Sequence, residues 1–169
     1  SRTCEGSCYS GAIAEYRMDE ASWAVDPTVY DTSGNAIHGT REGNVSVNTS
    51  DTLLCNNGSF PGASAPDHIR IETLPVSTAQ GDKTTVCFWM NWAGNNNAMP
   101  VGWDSQYGLF FRANRFGFTT DGGDLYGIDI TGGGLENTWH HVAAVFTSQP
   151  QSPSDNQLYI DGVLQPSSV

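Results

Sequence analysis

Positive charge is what this chain has least of. One Lys (Lys83) and six Arg stand against 18 acidic residues, for a net charge of −11 over 169 residues. A phosphate-rich surface would repel such a chain, which argues against nucleic acid and anionic membranes as partners. Charged residues of either sign make up only 15% of the sequence. No apolar run approaches the roughly 20 residues that span a bilayer. No signal peptide opens the chain, so it reads as a mature or excised segment. No segment combines an amphipathic helical repeat with proper caps, and no internal repeat appears.

What is present suits a β-protein of one domain, residues 1–169, long enough to bury a substantial core. Nineteen Gly accompany five Trp, six Tyr and seven Phe, a mixture of turn formers and bulky strand formers. The strongest strand runs from Thr84 to Trp92. Val86, Phe88, Met90 and Trp92 share one face and Cys87 and Trp89 the other, so it is expected to be apolar and buried on both sides. Trp139 to Phe146 reads as a second buried strand. Leu109–Arg112 and Phe116–Thr119 are expected to pair across a turn at Asn114. Gln157–Ile160 and Val163–Leu164 flank Asp161-Gly162, a type I′ hairpin signal. Shorter β-prone pieces are Ala12–Met18 and His68–Glu72. Residues 27–50, Asp121–Asp124 and Gln149–Asn156 read as turns and loops. Many short strands between turns imply an antiparallel β-sandwich.

The four cysteines, Cys4, Cys8, Cys55 and Cys87, form an even set in a Gly-rich, Lys-poor chain. Two disulfides and an oxidising compartment are expected. Zinc competes less well, because the one close pair is spaced more widely than the usual two-residue gap. Of three pairings, Cys4–Cys8 with Cys55–Cys87 is the one favoured.

Six pieces in order carry a family resemblance. They are Ala14–Glu20, Asp31–Asn35 leading to His38-Gly39-Thr40, Gly58–Gly62 with Ile69 and Ile71, Thr85–Met90, Trp139–Ala143, and Leu158–Gly162. Together they resemble a laminin-G-like module of the concanavalin-like lectin/glucanase superfamily. The resemblance implies an all-β, antiparallel jelly-roll sandwich. The opening segment, with its paired Cys and Tyr16-Arg17-Met18-Asp19-Glu20, is also similar to modules of mannose-sensitive haemagglutinin (MSHA) pilus-biogenesis proteins. Modules of the family continue past the Asp-Gly hairpin into further strands, whereas these residues end at Val169. The last strand is therefore expected to be missing or supplied by another chain.

Catalysis finds little support. Sandwich glycosidases set two carboxylates about 5 Å apart on one strand face. Asp19 and Glu20 are adjacent and would point oppositely, while Asp124, Asp129 and Glu136 are scattered over Gly-rich turns. The pair His140-His141 lies on a strand that matches the family's structural strand. A non-enzyme is expected.

The resemblance also implies a structural calcium ion, held by Asp19 or Glu20 with Asp31 and Asn35 and loop carbonyls near Gly39. The simpler alternative is that Asp31 and Asn35 only stabilise their own turn. Sugar recognition calls for aromatic faces beside amides, carboxylates or Arg, and Trp92, Asn95, Asn96, Asn97, Trp103, Asp104, Tyr107 and Arg112 supply that mixture outside the obvious core strands. Trp103 is placed in a loop, and Tyr126 offers a weaker second patch. Ordinary core or surface roles for these aromatics weigh about equally. The sequons at Asn44, Asn48 and Asn57 are read as chance. The expected function is a secreted or cell-surface, lectin-like adhesion module within a larger surface or pilus-associated protein. Its partner would be a glycan or extracellular polymer, or other surface or pilus proteins. The alternative is a structural or protein-interaction domain.

Overall fold

The computed structural model describes residues 11–50, 56–62, 67–103, 107–119, 125–148 and 154–166. No helix forms among them, and none is long and apolar enough to cross a membrane. The chain groups into two compact units, Ser1–Pro75 and Val76–Val169.

In the first unit, β1 (Thr28–Val29), β2 (Gly39–Glu42) and β5 (His68–Arg70) make a three-stranded antiparallel sheet, and β3 (Ser46–Asn48) pairs with β4 (Asn57–Ser59). Its small core is Trp23, Val29 and Val45, with Tyr16, Met18, Val47 and Ile69 packed around it. The expected strand at 12–18 is reduced to one bridge, Tyr16 to Asp31. Conversely, residues 27–50, read as turns, hold three short strands. Their polar Thr, Ser and Asn content hides them from a hydrophobic-pattern reading.

The second unit is a sandwich of two four-stranded antiparallel sheets. One has the order β13 (Val163–Leu164), β12 (Gln157–Ile160), β11 (Trp139–Thr147), β6 (Lys83–Asn91); the other β10 (Leu125–Asp129), β9 (Arg115–Thr119), β8 (Tyr107–Arg112), β7 (Ala98–Trp103). Alternation turns Met90, Val142, Ala144, Phe146, Leu158 and Ile160 of the first sheet toward Leu109, Phe111, Phe116 and Phe118 of the second. Phe146 ties the layers together, meeting Trp103 and Phe118 edge-on with ring centroids 4.4 and 4.9 Å apart. Each such ring removed from water contributes about 1.5–3 kcal/mol.

Both expected hairpins form, with Arg112 opposite Arg115 and Ile160 opposite Val163. Asp161 and Gly162 both have positive φ, as a type I′ turn requires. The Asp161 side chain reaches back to β11, where one oxygen sits 2.7 Å from His140 Nδ1 and the other accepts the His141 N–H. These bonds hold the Asp161 carboxyl below its usual range, with the His140 contact the larger influence. The His140 side chain and the His141 backbone N–H thus tie the hairpin turn to β11.

Two expectations need correction. β6 is buried on one face only: Cys87 and Trp89 point outward, and Trp89 is 50% exposed. Apolarity on both faces of that strand reflects an exposed aromatic rather than a second buried layer. Trp103 lies on a strand, not in a loop. Pro100 and Gly102 mask β7 in the sequence, but β7 is an edge strand with a register shift between Ala98 and Val101, where a proline is tolerated.

Cys4, Cys8 and Cys55 lie outside the described residues. Cys87 lies on the outward face of β6 with no cysteine partner among the described residues, and partial desolvation of its thiol raises its pKa.

Candidate functional site

A cleft of about 310 Å³ opens at one end of the sandwich, lined by Trp92, Gly94, Asn96, Asn114, Ile130, Thr131 and Glu136. That size falls at the lower end for small-molecule sites, about 300–1,000 Å³. Three chain segments converge to build it. The first follows β6: Trp92 bridges to Glu136, accepts the Asn137 N–H through its carbonyl (2.8 Å), and donates its indole N–H to the Asn95 carbonyl (3.0 Å). The second is the β8–β9 turn, whose Asn114 carbonyl accepts the Ile130 N–H (2.9 Å). The third follows β10, where Thr131 donates both its N–H and its hydroxyl to Asp129, bonds that hold the Asp129 carboxyl below its usual range.

The Trp92 ring stacks on Phe111 with centroids 4.0 Å apart, and Phe111 stacks on Phe116 at 4.2 Å. This aromatic column anchors one wall of the cleft in the core. Polar groups line the rest. The side chains of Asn96, Asn114 and Glu136 make no hydrogen bond to another described residue, so their donors and acceptors are available to a ligand. Gly94 leaves room for the Glu136 carboxylate: a Cβ at position 94 would lie 3.3 Å from both of its oxygens. The loops around the cleft hold non-glycine residues at positive φ, Asn97, Ala113, Asn114 and Asn137. Asn tolerates this conformation, but Ala113 carries strain of the kind that gathers at functional sites.

The expected sugar-contacting residues are divided by the structure. Asn95 and Asn96 are exposed on the loop beside the cleft, and Arg112 is exposed at the end of β8. Trp92, read both as the end of the buried strand and as a sugar contact, lies in the core at 8% exposed, and Tyr107, expected outside the core, is also part of it at 4%. Trp103 stacks on Tyr107 and is partly buried. Asp104 lies outside the described residues, as do the 121–124 turn and the side chain of Tyr126. Sequence reading missed Gly94, Asn114, Ile130, Thr131 and Glu136 as one site. The available signal was an acidic residue following the Gly132-Gly133-Gly134 run.

In the first unit, the four residues expected to hold calcium are arranged otherwise. Asp31 is 8% exposed and its carboxylate takes four donors: Glu15 N–H (2.9 Å) and Ser33 N–H (2.8 Å) on Oδ1, and Ser33 hydroxyl (2.8 Å) and Ile37 N–H (3.0 Å) on Oδ2. Burial alone would raise its pKa, but these bonds together hold it well below the usual carboxylate range. Glu20 uses one oxygen for the Tyr30 N–H, and its other oxygen is buried without a hydrogen-bond partner. Asn35 turns its amide N–H₂ to the Ala12 and Ile13 carbonyls, and Asp19 is exposed. Among the described residues no group of three or more His, Cys, Asp or Glu is placed to hold a metal. The four protein donors on the Asp31 carboxylate give it the role of stabilising its own turn.

A family model described as the concanavalin A-like lectin/glucanases superfamily, of laminin G type, matches residues 63–169. The chain belongs to this laminin-G-like family. The match spans the whole eight-stranded sandwich, and the cleft lies entirely within it. Membership agrees with the antiparallel jelly-roll class and points to a carbohydrate-binding or interaction module. No curated protein and no solved structure matches the chain.

Proposed function

We propose that this laminin-G-like domain is a non-catalytic module that binds a glycan in the cleft beside Trp92. The observation that carries the reading is the convergence of two amides, a hydroxyl and a carboxylate from three loops on one cleft, at least three of those side chains without internal partners. Sugars present several hydroxyls on a compact ring, and amides and carboxylates meet them as paired donors and acceptors. Hydrolysis needs two carboxylates free to flank one bond, whereas Asp129, the other carboxylate beside the cleft, is engaged by the N–H and hydroxyl of Thr131, which supports binding. Few hydrogen bonds on a shallow site predict modest affinity.

A secreted or cell-surface location is part of the proposal, supported by the acidic, Lys-poor composition. A surface or pilus setting rests on the sequence likeness of the opening segment. A second reading, a protein-interaction module, is favoured by one observation: the outward face of the β6–β11–β12–β13 sheet exposes Trp89 (50%) and Leu164 (54%).

A glycan array probed with the wild-type domain and with an Asn96→Ala/Asn114→Ala variant tests the first reading. Hits that vanish in a variant whose melting temperature is unchanged support it. Hits that survive rule out the cleft, and a blank array for the wild type favours the interaction reading.

A further inference from the structure

Among the described residues, Glu136 is the one ionisable side chain lining the cleft, and no Lys, Arg or His joins it there. Its carboxylate lies against Gly94, where any larger side chain would crowd it, and no described group neutralises it. Asp129, whose carboxylate binds the N–H and hydroxyl of the lining residue Thr131, adds a second negative charge beside the cleft. Arg115, paired in register with Asp129, donates a guanidinium N–H to the Gly127 carbonyl (3.4 Å) and its charge also acts on the Asp129 carboxyl, so exclusion of an anion rests on Glu136 rather than on Asp129. The whole chain carries −11.

We infer that Glu136 makes the cleft selective for charge: it admits neutral and amino sugars and rejects uronic, sulfated or sialylated ones. This rests on the reading of the cleft as a glycan site. An acidic group seated about 4 Å from an ionised carboxylate at a protein surface should bind about tenfold or more weakly than its neutral counterpart. An amino sugar would instead gain a charge-assisted hydrogen bond from its ammonium group to Glu136.

The test uses three probes of differing charge, N-acetylated chito-oligosaccharides (neutral), their deacetylated forms (cationic) and oligogalacturonates (anionic), and reads only how each affinity ratio changes between the two proteins. Wild type and Glu136→Gln are compared by calorimetry at low and high salt, because screening weakens the exclusion. The expected result is that Glu136→Gln raises the anionic-to-neutral affinity ratio about tenfold and lowers the cationic-to-neutral ratio. The amide keeps the shape of the side chain, so a change in ratios reports charge. A ratio that does not move overturns the inference while leaving the glycan site standing. If none of the probes nor any sugar on the array binds either protein, the glycan reading falls and this inference with it.

Discussion

Asp31 offers a sharp test of how the first unit is held together. Replacing it by Ala leaves the N–H groups of Glu15, Ser33 and Ile37 and the Ser33 hydroxyl without their acceptor. These groups are partly buried, so each orphaned N–H costs near the low end of the usual range, about 1 kcal/mol. Three of them give about 3 kcal/mol, or roughly 150-fold in a local opening constant. Asp31→Asn keeps one acceptor oxygen for Glu15 and Ser33 but sets an N–H₂ against the Ile37 N–H, for about half that cost. Amide hydrogen exchange read by NMR at Ser33 and Ile37, with the Val142 amide of the second unit as internal reference, separates the variants. Acid should act as the Ala substitution does. Because the folded pKa is depressed, the stabilisation is complete above the unfolded Asp value near 4 and is withdrawn as pH falls below it. Calcium or chelator should leave these amides unmoved, since the carboxylate lone pairs are already filled. Exchange in Asp31→Ala within twofold of wild type would refute the argument. So would protection that follows calcium.

Three further outcomes are expected. Gly127→Ala should prevent the second unit from folding, because a Cβ there would lie 2.1 Å from the Phe116 carbonyl oxygen; a cooperative near-ultraviolet melt like that of wild type would contradict the packing. Ala113→Gly should stabilise the sandwich by about 0.5–1 kcal/mol in urea denaturation, since Ala113 sits at φ 50° where glycine has no steric penalty; a loss of stability would show that the turn is not strained. The Tyr16 phenol, which donates to the Ile37 carbonyl, is pushed up to about 12 by burial and by the Asp31 charge. Its folded pKa is raised, so its contribution is complete below pH 10 and lost between about 10 and 12. An absorbance titration at alkaline pH should lose its last-titrating phenol in Tyr16→Phe, and an identical curve would count against the assignment.

Much of the sandwich was legible because its strands alternate strongly. Val86, Phe88 and Met90, and Val142, Ala144 and Phe146, fall on one face of their strands by period alone, whereas which face turns inward was settled by packing. The two hairpins were legible from Asn114 and from Asp161-Gly162, residues that accept the backbone their turns require. β7 and β10 were not, because Pro100, Gly102 and Gly127 break the pattern where an edge or a close strand contact tolerates them. The candidate site was half legible. Asn95 and Asn96 stood out as amides beside a tryptophan, whereas nothing local links them to Asn114, Thr131 or Glu136.

The sequence by itself determined the all-β class, the long strands, the two hairpin turns at 113–114 and 161–162 and the family, because these follow from local period, turn chemistry and motif order. Tertiary structure alone decided the rest. It sank Tyr107 into the core, left Trp89 exposed, and filled the Asp31 carboxylate with donors from residues 15 and 37. It also gathered one cleft from residues 92–96, 114 and 130–136. The physical reason is the same in each case: a side chain's burial and partners are set by which distant segments pack against it, and that information is held by the register of the sheets rather than by neighbouring residues.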